Sequence, residues 1–418
     1  MTADERIDRT HPQLLTTLHP LLEAPPGPDD DILEVHALLA DARRARATDI
    51  HLDPDDAGWR IRLRIDGRVL TAQRIDAGQG ARLANQFKVL AGLNPVRALT
   101  ADEGGFSYAF PEAGDDESHL RVSAVSCVAG EKLAIRFLER PRAFADPLAL
   151  GIGREGVQGI RRWMDATAGM LLVAGPTGAG KTTTLYTLLD ELKLSDSHVM
   201  TLEDPVEYEL AGINQVQVDT SNGLDFASGI RAMLRLDPDY LLIGELRDPE
   251  SAQAAVGVAS SGRSLMSTLH SRDAVGVVSA LRHLGVADTQ IGANLGLVVA
   301  QRLVRRLCEA CRERRPISTT DAEWLAAVDL PVPERVWSPV GCAQCDGLGY
   351  RGRTGVFEIW QPSPEDQVRI LGHADEATLR RALIARGERL MFAAGIAKAE
   401  AGITSLREVF RMGAILAA

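Results

Sequence analysis

The organisation of this chain can be worked out from MLLVAGPTGAGKTTTLYTLLDEL, residues 170–192. Five apolar residues lead directly into GPTGAGKT at 175–182, which matches G-x-x-x-x-G-K-[ST] at every fixed position. Leucines then recur from Leu185 to Leu192 at i, i+3, i+4 and i+7, the spacing of one buried helix face. The stretch therefore predicts a buried strand, a glycine-rich turn and a helix, which is the setting that this motif requires.

The chemistry of the motif is phosphate binding by the backbone. Its glycines let the loop curl so that N–H groups point at phosphate oxygens beside a positive helix N-terminus. Lys181 can reach the β- and γ-phosphates, and the Thr182 hydroxyl can hold Mg²⁺. An ordinary glycine-rich turn is the alternative, but the complete match with both flanks favours a nucleoside triphosphate. The residues assigned to it are Gly175, Pro176, Thr177, Gly178, Ala179, Gly180, Lys181, Thr182 and Thr183.

Length and composition indicate a soluble protein of two or three domains. The chain has 418 residues, of which 45% are apolar and 25% charged. It has no run of 18 apolar residues, and its N-terminus MTADERIDRT has no apolar signal core. We therefore expect a cytoplasmic protein that contacts a membrane only through partners. The net charge of −11 argues against a nucleic-acid partner.

The first part of the chain predicts a small α+β domain over residues 32–141. In WRIRLRIDG, residues 59–67, three apolar residues alternate with three arginines and lead into an Asp-Gly turn. Alternation of this kind is typical of a half-buried strand in a hairpin, and similar segments later in the domain predict an antiparallel sheet. Residues 1–31 are predicted to be tail and linker, and residues 142–153 a second linker.

Residues 154–300 predict an α/β domain, because apolar strands alternate there with helices in the order of a parallel sheet covered on both faces. Ligands bind beyond the carboxyl ends of such strands, and polar residues follow three of them. They are the segment from Glu203 to Glu207, the pair Gly244-Glu245, and His270. A solvated strand end is the alternative for each alone, but together beside the loop they favour nucleotide hydrolysis.

Four of the five cysteines form two C-x-x-C pairs with 30 residues between them. Two such pairs can hold one tetrahedral ion, and a closed site of four thiolates is typical of structural Zn²⁺. Unrelated buried cysteines are the alternative. The pairs predict a zinc-binding subdomain over residues 301–360, followed by a helical region over 361–418. The predicted ligands are Cys308, Cys311, Cys342 and Cys345.

Longer segments resemble one family, the type II secretion and type IV pilus assembly ATPases. TLEDPVEY, LRLDPDYLLIGELRD and STLHSRDAVG resemble its Asp box, modified Walker B motif and His box. ATDIHLDP, FKVLAGL and LRVSAVSCVAGEKLAIRFLE extend the resemblance into the first domain. It implies a RecA-like core after a PAS-like first domain, in a homohexamer that hydrolyses ATP. Such an enzyme would power pseudopilus or pilus assembly through an inner-membrane platform protein, as a peripheral protein on the cytoplasmic side.

The resemblance also implies a role for individual residues. Glu245 corresponds to the catalytic glutamate, Glu207 to a second essential carboxylate and His270 to the box histidine. Gly244 stands where the family's second nucleotide motif normally has aspartate. Mg²⁺ would therefore rely on Thr182, phosphate oxygens and water, with Glu203 or Asp204 as a further contact through water.

Four arginines are carried over from the family in the same way. Arg121 and Arg136 correspond to first-domain arginines that reach the phosphates across a domain or subunit boundary. Arg231 and Arg247 correspond to further interface arginines. Without the resemblance, Arg121 and Arg136 would be read as the solvated face of a strand.

Three other functions remain as alternatives, one within the same class and two from different classes. A retraction motor is disfavoured by the C-x-x-C pairs, and a DNA-translocating secretion ATPase by the acidic balance. A degenerate nucleotide-binding scaffold is supported by Gly244 and by Arg263, which stands where the family has histidine. Only 31 residues precede the first domain, so we expect a short form without the usual partner-docking domain.

Overall fold

A computed structural model describes residues 10–23, 32–96, 100–110, 117–138, 146–166, 168–193 and 197–413. The chain forms two compact units. One consists of Met1–Arg140 with Gly341–Leu348, and the other of Pro141–Val340 with Gly349–Ala418. Residues 24–31 and 142–145 of the expected linkers, and 414–418 of the expected helical region, lie outside the described residues.

An antiparallel sheet forms the first unit. Its strands are β1 (Ala47–Asp55), β2 (Gly58–Ile65), β3 (Arg68–Ile75), β4 (Asp102–Ala109), β5 (Glu117–Cys127) and β6 (Gly130–Leu138). They lie in the order β3-β2-β1-β6-β5-β4. Ile61, Leu63 and Ile65 of β2 are buried, as the alternation predicts. Asp66 and Gly67 both have positive φ, 49° and 83°, so the predicted Asp-Gly turn joins β2 to β3.

Helices cover the buried face of this sheet: α1 (Leu18–Glu23), α2 (Leu33–Arg44) and α3 (Ala77–Leu90). Asp76 caps α3, because its carboxylate accepts the N–H groups of Gly78 and Gln79. The structure differs from the tail expected over residues 1–31, since Leu14 and Leu18 are fully buried in the same core. Leu14 ends a short 3-10 turn (Pro12–Leu14) and Leu18 begins α1, so neither element is long enough to give a clear apolar period.

A mostly parallel sheet forms the second unit. The strands of this unit are β7 (Gly169–Ala174), β8 (Val199–Glu203), β9 (Asn214–Gln217), β10 (Tyr240–Ile243), β11 (Ser264–Leu269), β12 (Leu295–Leu307), β13 (Glu313–Pro316), β14 (Arg335–Ser338) and β15 (Tyr350–Trp360). The sheet order is β15-β12-β7-β11-β10-β8-β9, with only β15 antiparallel to its neighbour, while β13 and β14 pair separately. Met170 and Leu172 belong to one core cluster, and Leu171 and Val173 to another. Alternate residues of β7 are therefore buried on opposite faces, as expected for a sheet covered on both sides.

The helices of the second unit are α4 (Arg154–Asp165), α5 (Lys181–Leu192), α6 (Phe226–Met233), α7 (Pro249–Ser260), α8 (Gly276–His283), α9 (Asp288–Asn294), α10 (Thr319–Ala327), α11 (Pro364–Leu371), α12 (Glu376–Ala385), α13 (Met391–Glu400) and α14 (Leu406–Phe410). The boundary expected at residue 300 falls inside β12, which continues to Leu307 and pairs with β15. Among the described residues, no helix has the length and apolar character that a membrane crossing needs.

Candidate nucleotide-binding site

The glycine-rich loop joins β7 to α5, as its sequence predicts. Gly178 and Gly180 have φ of 76° and 86°, in the left-handed region that favours glycine. A Cβ atom on Gly175 would lie 2.6 Å from the carbonyl oxygen of Gln301, so β12 approaches too closely for a larger residue. In the described structure no side chain caps the first turn of α5. Its N–H groups are therefore available to phosphate oxygens.

Gln301 supports this loop, and sequence inspection did not single it out. It lies in β12 with 2% of its surface exposed. Its Nε2 donates to the carbonyl oxygen of Ala179 at 2.7 Å, and its Oε1 accepts the Thr184 hydroxyl at 2.8 Å. The amide thus fastens the end of the loop to the first turn of α5. Its signal in the sequence is one amide inside the apolar run LGLVVAQRLV.

A cleft of about 530 Å³ opens beside the loop, at the carboxyl ends of the parallel strands. Residues 176–183 line it. The predicted site residues Glu207, Glu245, Arg247 and His270 line it as well, although they come from three other segments of the chain. Arg231 is exposed on α6 and is not part of this lining.

Lys181 folds back over the loop, and its Nζ donates to the carbonyl oxygen of Gly175 at 2.9 Å. Burial lowers the pKa of Lys181, and Arg302 acts in the same direction, while Glu245 opposes both. A phosphate oxygen at this position would supply the negative charge that favours the ammonium form.

Glu245 is engaged at both of its carboxylate oxygens. His270 Nε2 lies 2.7 Å from Oε1, and Arg247 Nε lies 2.7 Å from Oε2. The Arg247 guanidinium also contacts Asp204 at 3.1 Å, which ties the ends of β8 and β10 together. The structure therefore brings Glu245, Arg247 and His270 into direct contact, with Asp204 beside them.

Glu207 lies next to Thr182, whose hydroxyl is hydrogen-bonded to its carboxylate. The side chain is open to the cleft, but the cleft walls displace much of the water around it. This desolvation raises the pKa of Glu207 and nearby Glu203 adds to the rise, although the bond from Thr182 lowers it. A carboxylate thus lies beside the hydroxyl predicted to hold Mg²⁺.

Glu203 lies deeper and belongs to a buried hydrogen-bond network. It accepts the Tyr186 hydroxyl, the Thr201 hydroxyl at 2.6 Å and Gln215 Nε2 at 3.2 Å. Burial and the bond to Glu203 raise the pKa of Tyr186. Glu203 lies at the inner wall of the cleft, where these hydrogen bonds fix α5 against β8 and β9.

Arg121 and Arg136 lie in the first unit, directly opposite each other on β5 and β6. Both are exposed, and 65% of the Arg136 side chain faces solvent. Arg136 Nε donates to Asp49 Oδ1 at 2.8 Å, and Arg64 Nε lies 3.3 Å from the other oxygen of Asp49. Asp49 therefore restrains Arg136 on the polar face of the sheet. Contact of either predicted arginine with a phosphate stays a prediction.

The four cysteines of the C-x-x-C pairs form one cluster, in which all four sulfur atoms lie within 4.8 Å of one another. The sulfur atoms of Cys342 and Cys345 are 3.9 Å apart. Tetrahedral Zn²⁺ with Zn–S bonds of about 2.3 Å requires sulfur separations of about 3.8 Å. The cluster is therefore compatible with zinc. Cys127 lies outside it, exposed at the end of β5.

Residues 29–411 match the family model described as "Type II/IV secretion system protein". The type IV pilus assembly ATPase PilB of Myxococcus xanthus (strain DK1622) is 36% identical over 383 residues, 90% of this chain and 66% of that protein. Type II secretion system protein E of Klebsiella pneumoniae is 37% identical over 380 residues, 90% of this chain and 75% of that protein. The chain thus spans from 66% to 75% of the length of these two relatives.

Solved structures share the fold. The Legionella pneumophila ATPase DotB has a TM-score of 0.67 at 21% identity, over 94% of this chain and 98% of that one. The pilus retraction motor PilT with bound ADP has a TM-score of 0.58 at 20% identity, over 91% and 97%. The RecA-like α/β fold implied by the sequence is confirmed.

Proposed function

This chain belongs to the type II/IV secretion system protein family, and from that premise we propose a hexameric ATPase that drives assembly of a pilus or pseudopilus. One observation carries the proposal: the loop at 176–183, Glu207, Glu245 and His270 converge on one cleft. Relatives named for pilus assembly and for type II secretion support this choice of machinery.

ATP binding is assigned to the glycine-rich loop. The N–H groups of the loop and of the first turn of α5, together with Lys181, form a donor set that fits a triphosphate. Thr182, with Glu207 beside it, would hold Mg²⁺. When bound, the ion neutralises charge on the phosphate oxygens.

Glu245 is assigned to the attacking water. Its carboxylate accepts a proton while the water oxygen attacks the γ-phosphorus and the bond to the β–γ bridging oxygen breaks, giving ADP and phosphate. Both oxygens of Glu245 are engaged by His270 and Arg247. Each oxygen still has a lone pair available, so Glu245 can accept a water proton while His270 and Arg247 orient its carboxylate. His270 is also assigned to the γ-phosphate.

The remaining predicted residues support the assembly. We assign Arg121 and Arg136 to the phosphates across a domain or subunit boundary, where a guanidinium neutralises charge in the transition state. Arg231 and Arg247 are assigned to boundaries between neighbouring chains. The four cysteines hold structural Zn²⁺ in a subdomain around residues 301–360. Force from hydrolysis passes to an inner-membrane platform protein, with the enzyme on the cytoplasmic face.

Hydrolysis by purified protein tests the proposal. Wild-type protein with Mg²⁺-ATP is expected to release phosphate and to form rings of six chains by native mass measurement. Lys181→Ala should lose hydrolysis. Lys193→Ala, which changes a lysine just beyond the other end of α5, is the matched control and should retain it. Equal hydrolysis by wild type and Lys181→Ala would overturn the enzymatic assignment.

A further inference from the structure

Glu358 is a buried carboxylate outside the nucleotide cleft. It lies in β15 between Phe357 and Ile359, and only 3% of it is exposed. Its Oε1 accepts the backbone N–H of Ala274 at 2.9 Å, and its Oε2 accepts the backbone N–H of Met391 at 2.7 Å. One side chain therefore joins segments that lie 84 residues before it and 33 residues after it.

The two donors belong to different segments of the second unit. Ala274 follows His270 by four residues, in the loop that leads from the nucleotide cleft into α8. Met391 is the first residue of α13. Through Glu358, the loop that carries His270 is fastened to a helix of the C-terminal region.

Two arginines reinforce this connection. Arg380 of α12 pairs with Asp273, the residue before Ala274. Arg302 donates to the carbonyl oxygen of Arg272 at 2.7 Å and to that of Met412 at 3.2 Å. The segment from Arg272 to Ala274 is thus held from the C-terminal side at three consecutive residues.

Burying a carboxylate costs free energy, because its charged form loses its contacts with water. Burial raises the pKa of Glu358 to about 7, and nearby Asp273 adds to the rise, although the two N–H donors and Arg380 oppose it. Packing alone would be served at least as well by an apolar residue of similar volume. What the carboxylate adds is two acceptors, one directed at each segment.

We propose that Glu358 is a positioning residue for ATP hydrolysis, because it holds the loop behind His270 against α13. Displacement of the C-terminal helices α12 and α13 then moves His270 relative to Glu245. The inference rests on the proposed function, in which Glu245 and His270 act on the nucleotide.

Glu358→Gln is the test variant. An amide oxygen can still accept one N–H, but the amide nitrogen faces the other N–H as a second donor, so one fastening is lost. Because a small displacement near the reacting groups can cost about 10²-fold in rate, kcat for ATP is expected to fall about 10- to 100-fold. The KM for ATP should change by less than about threefold, since the loop at 175–182 is untouched.

Asp366→Asn is the matched control. Asp366 is also fully buried, and its carboxylate accepts Trp360 Nε1 at 3.0 Å, the N–H of Ser363 at 3.1 Å and Arg386 at 2.6 Å. These contacts do not include the loop behind His270. Asp366→Asn should therefore lower the melting temperature as Glu358→Gln does, but leave kcat within about twofold of wild type.

The pH profile separates positioning from a general loss of stability. The charged groups facing Glu358 are Asp273, Arg380 and Arg302. As pH falls through about 7, Glu358 gains a proton and one oxygen becomes a poor acceptor, so kcat of the wild type should fall. The kcat of Glu358→Gln should not show this decrease at low pH, whereas that of Asp366→Asn should.

Equal loss of kcat in the two variants, with superimposable pH profiles, would overturn the inference. If Glu358→Gln does not fold, hydrogen exchange of the Ala274 amide in wild-type protein gives the answer. Its protection should fall between pH 8 and pH 6 after correction for intrinsic rates, and unchanged protection would overturn the inference. Failure of the proposed function is distinguishable, because Lys181→Ala would then hydrolyse ATP like wild type.

Discussion

At the scale of single residues, Glu245 carries the chemistry assigned to the cleft. An amide in its place keeps the shape of the side chain but cannot accept the proton of the attacking water. Glu245→Gln is expected to lower kcat by about 10²- to 10⁴-fold, with nucleotide affinity nearly unchanged by fluorescence titration. Glu250→Gln, an exposed residue of α7, serves as the control. Substantial hydrolysis by Glu245→Gln would show that another residue is the general base, and Glu207 is the next candidate.

Lys398 allows a prediction about pH and stability. Its Nζ donates to the carbonyl oxygen of Gly151 at 2.7 Å, and burial together with nearby Arg306 lowers its pKa to about 8, from 10.5. Between these values the unfolded chain binds a proton that the folded chain lacks, so this residue makes stability rise with pH across that window.

Comparison with Lys398→Met tests the prediction. From pH 8 to pH 10, the free energy of unfolding of the wild type should rise relative to this variant by about 1 kcal/mol, allowing for partial exposure. Urea unfolding at several pH values measures it, with Lys193→Met as the control. Parallel curves for wild type and Lys398→Met would contradict the assigned pKa.

At the scale of elements, β11 separates two residues that its sequence places only seven positions apart. His270 follows its carboxyl end in the cleft, whereas Arg263 precedes its first residue. Arg263 contacts Asp237 at 3.0 Å and the carbonyl oxygen of Pro238 at 3.2 Å, beside the start of β10. A strand advances about 3.3 Å per residue, so Arg263 lies far from the phosphates.

The two positions are therefore expected to respond differently to substitution. Arg263→His should retain ATP hydrolysis within about twofold, because exposed ion pairs contribute little, while His270→Ala should lose about 10²-fold or more. Steady-state kinetics on both variants measures the difference. Loss of hydrolysis in Arg263→Ala, with the ring intact, would instead make Arg263 a phosphate ligand.

At the scale of the whole molecule, the four-cysteine cluster is expected to stabilise the fold through a metal. Purified protein should contain about one Zn²⁺ per chain, and Cys308→Ser should lose most of it. Because binding energy at a structural site contributes to folding, the melting temperature should fall by about 10 °C. Cys127→Ser is the matched control, since Cys127 lies outside the cluster. Wild-type protein without bound metal would contradict the assignment.

A shared active site would be a property of the assembled ring. Arg121→Ala and Arg136→Ala are each expected to lower kcat by about 10³-fold or more, whereas Arg74→Ala, from the same sheet, should not. If neighbouring chains complete each site, an inactive Arg136→Ala chain mixed with an inactive Glu245→Gln chain should regain activity. Phosphate release from mixed rings measures this. Unchanged kcat in both arginine variants would show that Arg121 and Arg136 only form the solvated face of the sheet.

Patterns among neighbouring residues were sufficient to predict many structural elements of this protein. The loop at 175–182, the strand before it and the helix after it can be predicted because spacing and periodicity depend on adjacent residues. The alternation in β2 with its Asp-Gly turn and the two C-x-x-C pairs are of the same kind. The short helix α1 was missed because its apolar face spans too few residues to give a clear period.

Contacts between segments that are far apart in the sequence could not be predicted from such local patterns. Gln301 supports Ala179 across 122 residues, and Glu358 meets Ala274 across 84 residues. The bond between His270 and Glu245 likewise depends on β10 and β11 lying side by side. Such pairings follow from strand order and side-chain packing, which periodicity along the chain does not encode. The candidate nucleotide-binding residues were therefore recognisable one by one, whereas the contacts that fasten them together emerged only from the folded chain.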